Sequence, residues 1–215
     1  MGKLVALILL ILSLNIEGCI AQRPWGAKRD TDFCYTGTYT GIDTLINVNG
    51  YYYFTNGDSS RYDGGSYFFF IDGFFAYSPF SNPNLTIANN GEIKKIEKTI
   101  NDYFTGVYKI ENGTIKAQFS NPPNSMSWAM TELWFKIVDS NTLMAVRVPD
   151  AIIKKEQKIR NTTAYRHQQA YKISFVPMKT LPNPEKSWIK KRKWFWCNDT
   201  LYKKWMEKNQ KKKNR

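Results

Sequence analysis

The sequence is poor in the residues from which metal sites and nucleophilic catalytic centres are usually built. It has one histidine, His167, and three cysteines, Cys19, Cys34 and Cys197. A single histidine excludes a multi-histidine metal site, and no carboxylate or cysteine lies next to His167 to make it a general base. No Gly-x-Ser-x-Gly nucleophile elbow and no phosphate-binding glycine loop occurs. We therefore expect a protein that is not an enzyme, with no catalytic residues, no metal and no cofactor.

The sequence also lacks long apolar runs, apart from one at the N-terminus. Residues 1–22, MGKLVALILLILSLNIEGCIAQ, contain one early lysine, an apolar run from Leu4 to Leu14, and then small and polar residues. The run is too short to cross a bilayer core of ~30 Å as a helix, so it predicts an export signal. Two cleavage sites for this signal peptide remain open. IEGC resembles a bacterial lipoprotein box, which would make Cys19 a lipid-modified N-terminus and place the protein at the cell envelope; alternatively, cleavage follows Ala21 and the protein is secreted.

Both cleavage sites leave the same two cysteines in the folded part of the chain. In an oxidising compartment an even pair is expected to be bridged rather than free. The sequence therefore predicts a disulfide between Cys34 and Cys197. It would close a loop of about 160 residues and tie the beginning of the folded domain to its C-terminal region.

Negatively charged residues are scarce relative to positively charged ones, mainly in the C-terminal region. The net charge is +13, of which residues 186–215, with 12 Lys/Arg and 2 Asp/Glu, contribute +10. The segment KKRKWFWCND at 190–199 sets a basic block beside three aromatic residues and Cys197. The globular part is nearly neutral, so the basicity belongs to the C-terminal region.

A short basic amphipathic helix is predicted after Asn198, which is placed to cap it. Leu201, Tyr202, Trp205 and Met206 would share one side of this helix, with lysines around the rest. Such a helix can dock on anionic lipid or polysaccharide, or it can pack its narrow apolar stripe on the domain. The candidate residues for an anionic surface are Lys190, Lys191, Arg192, Lys193, Lys203 and Lys204. Nucleic acid is not an expected partner of an exported protein.

Four segments read as β-hairpins. Three place β-favouring runs around Asn-Gly or Asp-Gly: TLINV-NG-YYYFT at Asn49-Gly50, YFFFI-DG-FFAYS at Asp72-Gly73, and GVYKIE-NG-TIKAQF at Asn112-Gly113. These pairs adopt the positive φ angles of tight hairpin turns. The fourth, LWFKIVDSNTLMAVRV, turns at residues 139–141, and a further strand is predicted in AYKISFVPM. Consecutive hairpins predict an all-β antiparallel meander, which avoids long exposed edges by closing into a barrel.

The segments YTGIDTLINVNGYYYF, DYFTGVYKIENGTIKAQF and WFKIVDSNTLMAV make roughly residues 35–176 similar to the lipocalin-like (calycin-type) β-barrel domains of small bacterial exported lipoproteins. The resemblance implies an up-and-down barrel of about eight to ten strands with an internal cavity. The chain then divides into a signal peptide at 1–22, an N-terminal linker at 23–34, a barrel at 35–180, and a basic aromatic C-terminal helix or tail at 181–215.

The aromatic strands supply candidates for the wall of such a cavity. In YYYF and YFFFIDGFFAY aromatic residues occupy both faces of the strand, and they build either a cavity wall or a solid core. The candidates are Tyr51, Tyr53, Phe68, Phe70, Phe74, Tyr77 and Trp134. Aromatic walls with tyrosine hydroxyls suit a small apolar or amphipathic ligand. We therefore expect an exported, lipid-anchored, non-catalytic barrel that binds such a ligand or an envelope partner, the alternative being an interaction protein that docks through its basic tail.

Overall fold

The computed structural model describes residues 33–54, 65–78, 86–87, 93–94, 99–120, 130–148, 163–164 and 170–213. Its strands are β1 Gly50–Tyr53, β2 Ser66–Phe69, β3 Phe74–Ser78, β4 Thr86–Ile87, β5 Ile93–Lys94, β6 Phe104–Glu111, β7 Thr114–Ser120, β8 Met130–Asp139, β9 Thr142–Val146, β10 Thr163–Ala164 and β11 Tyr171–Pro177. Eight of them form a closed antiparallel barrel in the order β1, β2, β3, β6, β7, β8, β9, β11, because β11 pairs with both β9 and β1. The short strands β4 and β5 pair with each other, and β10 lies parallel to β8. The predicted closed meander is confirmed.

Three of the four predicted hairpins are confirmed. They are β2–β3, β6–β7 and β8–β9, and the further strand is β11. In the β6–β7 turn Asn112 has φ 50° and Gly113 has φ 70°, the backbone geometry that Asn-Gly supplies at low cost.

The prediction of a hairpin at Asn49-Gly50 was wrong. Residues 44–48, TLINV, form no strand: Ile42–Thr44 form a 3₁₀ turn, and Gly50 is the first residue of β1. Ile42 and Ile46 are buried against the barrel core, so this segment turns its apolar residues inward rather than pairing with β1. Gly50 is needed for a different reason: a Cβ there would lie 2.1 Å from the carbonyl oxygen of Val176 on β11. Its glycine permits close strand approach, not a reversal of the chain.

The two ends of the barrel differ. We call the end with the turns at 71–73, 112–113 and 139–141 the turn end. Residues 40–47 cross it: the Thr40 N–H donates to the Ile71 carbonyl, and the Asn47 N–H donates to that of Ser140, both at 2.9 Å. At the opposite end, the loop end, the chain leaves after β1, β3, β7 and β9 and returns at β2, β6, β8 and β11. The turn end is therefore the closed end.

Alternating side chains along the strands build two separate cores. The inner core fills the barrel, and its buried residues include Tyr52, Phe69, Phe75, Ile115, Leu133, Phe135, Leu143 and Ile173. The outer core lies on the outside of β1, β2, β3 and β6 and includes Tyr35, Tyr51, Phe68, Phe74, Ala76, Ile100, Tyr103 and Val107. The second core explains why aromatic residues occupy both faces of these strands.

The C-terminal segment, residues 181–205, covers the outer core. Ile189, Phe195 and Trp196 are buried there, and Leu201 and Trp205 pack against it. The α-helix of the described ranges, α1, spans Asp199–Lys213. Asn198 caps its N-terminus, because its Oδ1 accepts from the Leu201 N–H at 2.9 Å. The predicted cap is confirmed, and so is the alternative in which the apolar stripe of the helix packs on the domain.

The predicted disulfide joins Cys34 to Cys197. Backbone hydrogen bonds flank it: the Tyr35 N–H donates to the Phe195 carbonyl at 2.9 Å, and the Cys197 N–H donates to the Tyr35 carbonyl at 3.0 Å. The bridge fastens residues 33–35 and the C-terminal segment together over the outer core. The predicted signal peptide and the lipidation candidate Cys19 lie outside the described residues. No helix within the described ranges is both long and apolar enough to cross a membrane.

Candidate functional site

Most of the predicted cavity residues do not face the barrel interior. Tyr51, Phe68 and Phe74 are buried in the outer core, and Tyr53 and Phe70 pack against it. These predictions are corrected, because the C-terminal segment makes a solid outer core of a face that the sequence offered as a cavity wall.

Trp134 also lies outside the barrel. Its position on β8 alternates with the inner-core residues Leu133 and Phe135. The Lys116 ammonium lies 4.5 Å from the centre of the Trp134 ring, and the indole N–H of Trp134 donates to Glu132. Its prediction as a cavity residue is likewise corrected, and Tyr77 is the candidate that points inward.

Six aromatic side chains meet inside the barrel at the loop end, and we call them the aromatic ring. Its members are Phe54, Tyr67, Tyr77, Phe104, Phe119 and Tyr171. Four of them, Phe54, Tyr77, Phe104 and Tyr171, are only half-buried, whereas Phe75 and Phe135, deeper in the barrel, are fully buried. The ring is therefore a part of the inner core that solvent reaches at the loop end.

Contacts between the rings run around the loop end. Phe54 and Tyr171 have centroids 4.6 Å apart, and Tyr67 stacks on Tyr77 at 4.9 Å with the planes 11° apart. Tyr77 also contacts Phe104 at 5.8 Å and Phe119 at 5.3 Å. These separations lie in the range where aromatic pairs attract each other beyond simple area burial. The arrangement provides a cluster of flat, mainly apolar side chains at the loop end.

The aromatic ring also carries polar groups. The Tyr67 and Tyr171 hydroxyl oxygens lie 2.8 Å apart and share a hydrogen bond. Burial, and then the neighbouring Tyr171 and Tyr77 hydroxyls, raise the pKa of Tyr67 well above its ordinary value. The Tyr67 hydroxyl therefore stays protonated at neutral pH, and both hydroxyls can donate to or accept from a ligand.

Gly65, at the start of the return into β2, adjoins the stacked tyrosines. A Cβ at this position would lie 2.7 Å from the Tyr77 ring and 2.9 Å from the Tyr67 hydroxyl. The missing side chain lets the two rings stack at the edge of the loop end.

The basic residues of the C-terminal segment separate into two groups. Lys191, Lys193, Lys203 and Lys204 are exposed, and Lys193 pairs with Asp199 at 2.6 Å. Arg192 is half-buried and lies over the Trp188 ring at 5.8 Å.

The prediction that Lys190 contacts an anionic surface was wrong. It is completely buried, with its ammonium 2.9 Å from Asp72 and 2.8 Å from Glu185. Its charge is used inside the protein and is not available to a surface partner.

The sequence did contain a signal for the aromatic ring. Each of its members lies within a few residues of a strand end that faces away from a tight turn. The strand directions within the hairpins, and not only their pairing, would have placed these residues at one end of the barrel.

The described residues contain no group of three or more His, Cys, Asp or Glu side chains placed to hold a metal ion. Comparisons with protein-family models, with curated proteins and with solved structures find no match.

Proposed function

We propose that the protein is an exported, non-catalytic, lipocalin-like barrel, lipid-anchored through Cys19, that binds a small apolar or amphipathic molecule at the loop end. The observation that supports this function is the aromatic ring, four of whose six members are half-buried at the loop end, while residues 40–47 cross the turn end. Small-molecule sites are concave, mainly apolar, and oriented by a few polar groups. The ring supplies the apolar contact, and the Tyr67 and Tyr171 hydroxyls supply the polar groups.

A neutral fluorescent probe, N-phenyl-1-naphthylamine, tests this function. The dye should bind the full chain saturably and fluoresce more strongly in the apolar site. Tyr77→Ser removes one ring with three aromatic neighbours and should weaken binding about twofold to tenfold, because an aromatic pair contributes about 0.5–1.5 kcal/mol beyond its buried area.

Tyr39→Ser is the matched control, because Tyr39 is 63% exposed and belongs to the segment leading to the turn end. It should leave the dye affinity unchanged, and thermal unfolding of both variants will verify that they are folded. Absence of saturable binding to the parent protein, or equal affinity in Tyr77→Ser and the parent, would rule out a ligand site at the aromatic ring.

A second function is supported by the exposed lysines of α1. Since Leu201 and Trp205 pack on the outer core, the helix presents Lys203 and Lys204 to solvent. Docking on anionic lipid or polysaccharide would then be electrostatic, without insertion of the apolar stripe.

Vesicle co-sedimentation separates this function from the first. Vesicles with phosphatidylserine should bind the protein at about 50 mM NaCl and lose it at about 500 mM. The double variant Lys203→Glu/Lys204→Glu should bind less than Lys172→Glu/Lys179→Glu, whose parent lysines are exposed elsewhere. Equal binding of the two variants would exclude docking through α1. Charge reversal is preferable to deletion of residues 198–215, which would also strip Leu201 and Trp205 from the outer core.

A further inference from the structure

Lys190 is held between two carboxylates in a wholly buried position. Its side chain is 0% exposed, and its Nζ lies 2.9 Å from Oδ2 of Asp72 and 2.8 Å from Oε1 of Glu185. The rings of Tyr35 and Phe74 flank the ammonium, with centroids 4.6 and 4.9 Å away. An amine and two carboxyl groups thus share a small site walled by aromatic rings.

The groups around the lysine are fixed by further hydrogen bonds. Asp72 accepts the Tyr35 hydroxyl on Oδ2 and the Phe74 N–H on Oδ1, the latter at 3.1 Å. Glu185 accepts the Trp205 indole N–H on Oε2 at 2.9 Å, which leaves Oε1 for the lysine. Both oxygens of each carboxylate have a defined partner, so the reacting atoms are oriented before any chemistry occurs.

We propose that Lys190 and Asp72 condense to an intramolecular isopeptide bond, with Glu185 as the proton carrier. The neutral amine of Lys190 is the nucleophile, and the carbonyl carbon of Asp72 is the electrophile. Moving a proton from the wholly buried ammonium to the aspartate, whose side chain is 23% exposed, leaves two neutral groups, and burial favours neutral groups over charged ones.

The protons and atoms balance without any further reactant. Glu185 takes one proton from the Lys190 ammonium and passes it to Oδ2 of Asp72. The free amine then attacks the carboxyl carbon, and the negative charge that develops on Oδ1 is stabilised by the Phe74 N–H. Glu185 carries a second proton from the nitrogen to Oδ2, the C–Oδ2 bond breaks, and water leaves. An ammonium and a carboxylate become an amide and a water molecule, and Glu185 ends as the carboxylate it was.

The electrostatics of the neighbouring groups set their protonation states before the reaction. Burial raises the pKa of Glu185, but the hydrogen bond and charge of Lys190 and the bond from Trp205 outweigh it, so the net shift is downward and Glu185 begins as a proton acceptor. Burial, and next the charge of Asp72, raise the pKa of Tyr35, so that its hydroxyl stays a donor to Oδ2.

The bond would fasten the β2–β3 turn to the C-terminal segment, across a separation of 118 residues. Together with the Cys34–Cys197 disulfide it would attach the cover of the outer core at two points. The attachment at Lys190 would survive reduction.

Intact-mass spectrometry of the reduced, denatured protein tests the proposal, with peptide mapping to define the N-terminus. The expected mass is that of the chain from its mapped N-terminus, with any modification found there, less one water, and a branched peptide should join Asp72 to Lys190. Glu185→Gln should show the full sequence mass, because an amide cannot carry the protons. Lys191→Met, which alters the exposed neighbouring lysine, should still lose one water.

Two results would overturn the proposal. The first is a parent protein at full sequence mass after purification and prolonged incubation, which would leave Lys190 in an ordinary buried ion pair. The second is a branched peptide that joins other residues. The mass of the parent protein decides the question even if Glu185→Gln fails to fold.

Discussion

Replacing Cys34 and Cys197 by serine should lower the free energy of unfolding by about 5 kcal/mol. The disulfide joins residues separated by 163 positions. In the chain-entropy relation, closing a loop of that length in the unfolded state contributes roughly 5 kcal/mol near 25 °C. A domain of this size changes its melting temperature by about 2–4 °C per kcal/mol, so the variant should melt about 10–20 °C lower. An amide between Asp72 and Lys190 would reduce this figure, because it already restricts the same unfolded chain.

Guanidinium denaturation followed by tryptophan fluorescence measures the effect. The double variant should also show a larger m-value than the parent, since its unfolded state is free to expand. Adding a reducing agent to the parent should reproduce the stability of the variant, while the same agent should leave the variant unchanged. A loss below about 1 kcal/mol with an unchanged m-value would refute the view that the bridge constrains the unfolded chain.

Three further predictions concern single residues. Gly106→Ala should destabilise the barrel by about 1–3 kcal/mol or more, because a Cβ there would lie 1.9 Å from the Gln118 carbonyl oxygen on the adjacent strand; an equal melting temperature in the variant and the parent would contradict this. Thr105→Val should be neutral or stabilise by about 1 kcal/mol, since the Thr105 hydroxyl is buried and finds no hydrogen-bond partner among the described residues. A clear loss of stability in chemical denaturation would show that the hydroxyl is satisfied. Hydrogen bonds from Lys109 and Lys116 lower the pKa of Glu111 from 4.5 to about 2. The contribution of Glu111 to stability is therefore complete above pH 4.5 and is lost as the pH falls through about 2. NMR titration should show this pKa in the parent protein and a return toward 4.5 in Lys109→Gln/Lys116→Gln.

The closed barrel was predictable because its turns have a local chemical cause. Asp72-Gly73 and Asn112-Gly113 reverse the chain by their own backbone preferences, and the alternating runs beside them then pair in one register. An Asn-Gly pair does not always mark a turn, as Asn49-Gly50 shows. This pair lies at the start of β1, where the close approach of the Val176 backbone requires the glycine.

The location of the site was not predictable from the aromatic pattern alone. Alternation assigns Tyr51 and Tyr52 to opposite faces, but when both faces are aromatic it does not say which one is inside. That choice depends on the C-terminal segment, which covers the outer face from a distant part of the sequence. Lys190 was misplaced for a similar reason: a basic block normally indicates solvent, and its partner Asp72 lies 118 residues away.

A map of backbone amide shifts on adding N-phenyl-1-naphthylamine tests the proposed ligand site most directly. We predict that the dye shifts the amides of Phe54, Tyr67, Tyr77, Phe104, Phe119 and Tyr171 at the loop end, and leaves residues 40–47 and the turns at 112–113 and 139–141 unchanged. Shifts confined to the turn end or to the outer core, or no shifts at saturating dye, would contradict a binding site at the aromatic ring.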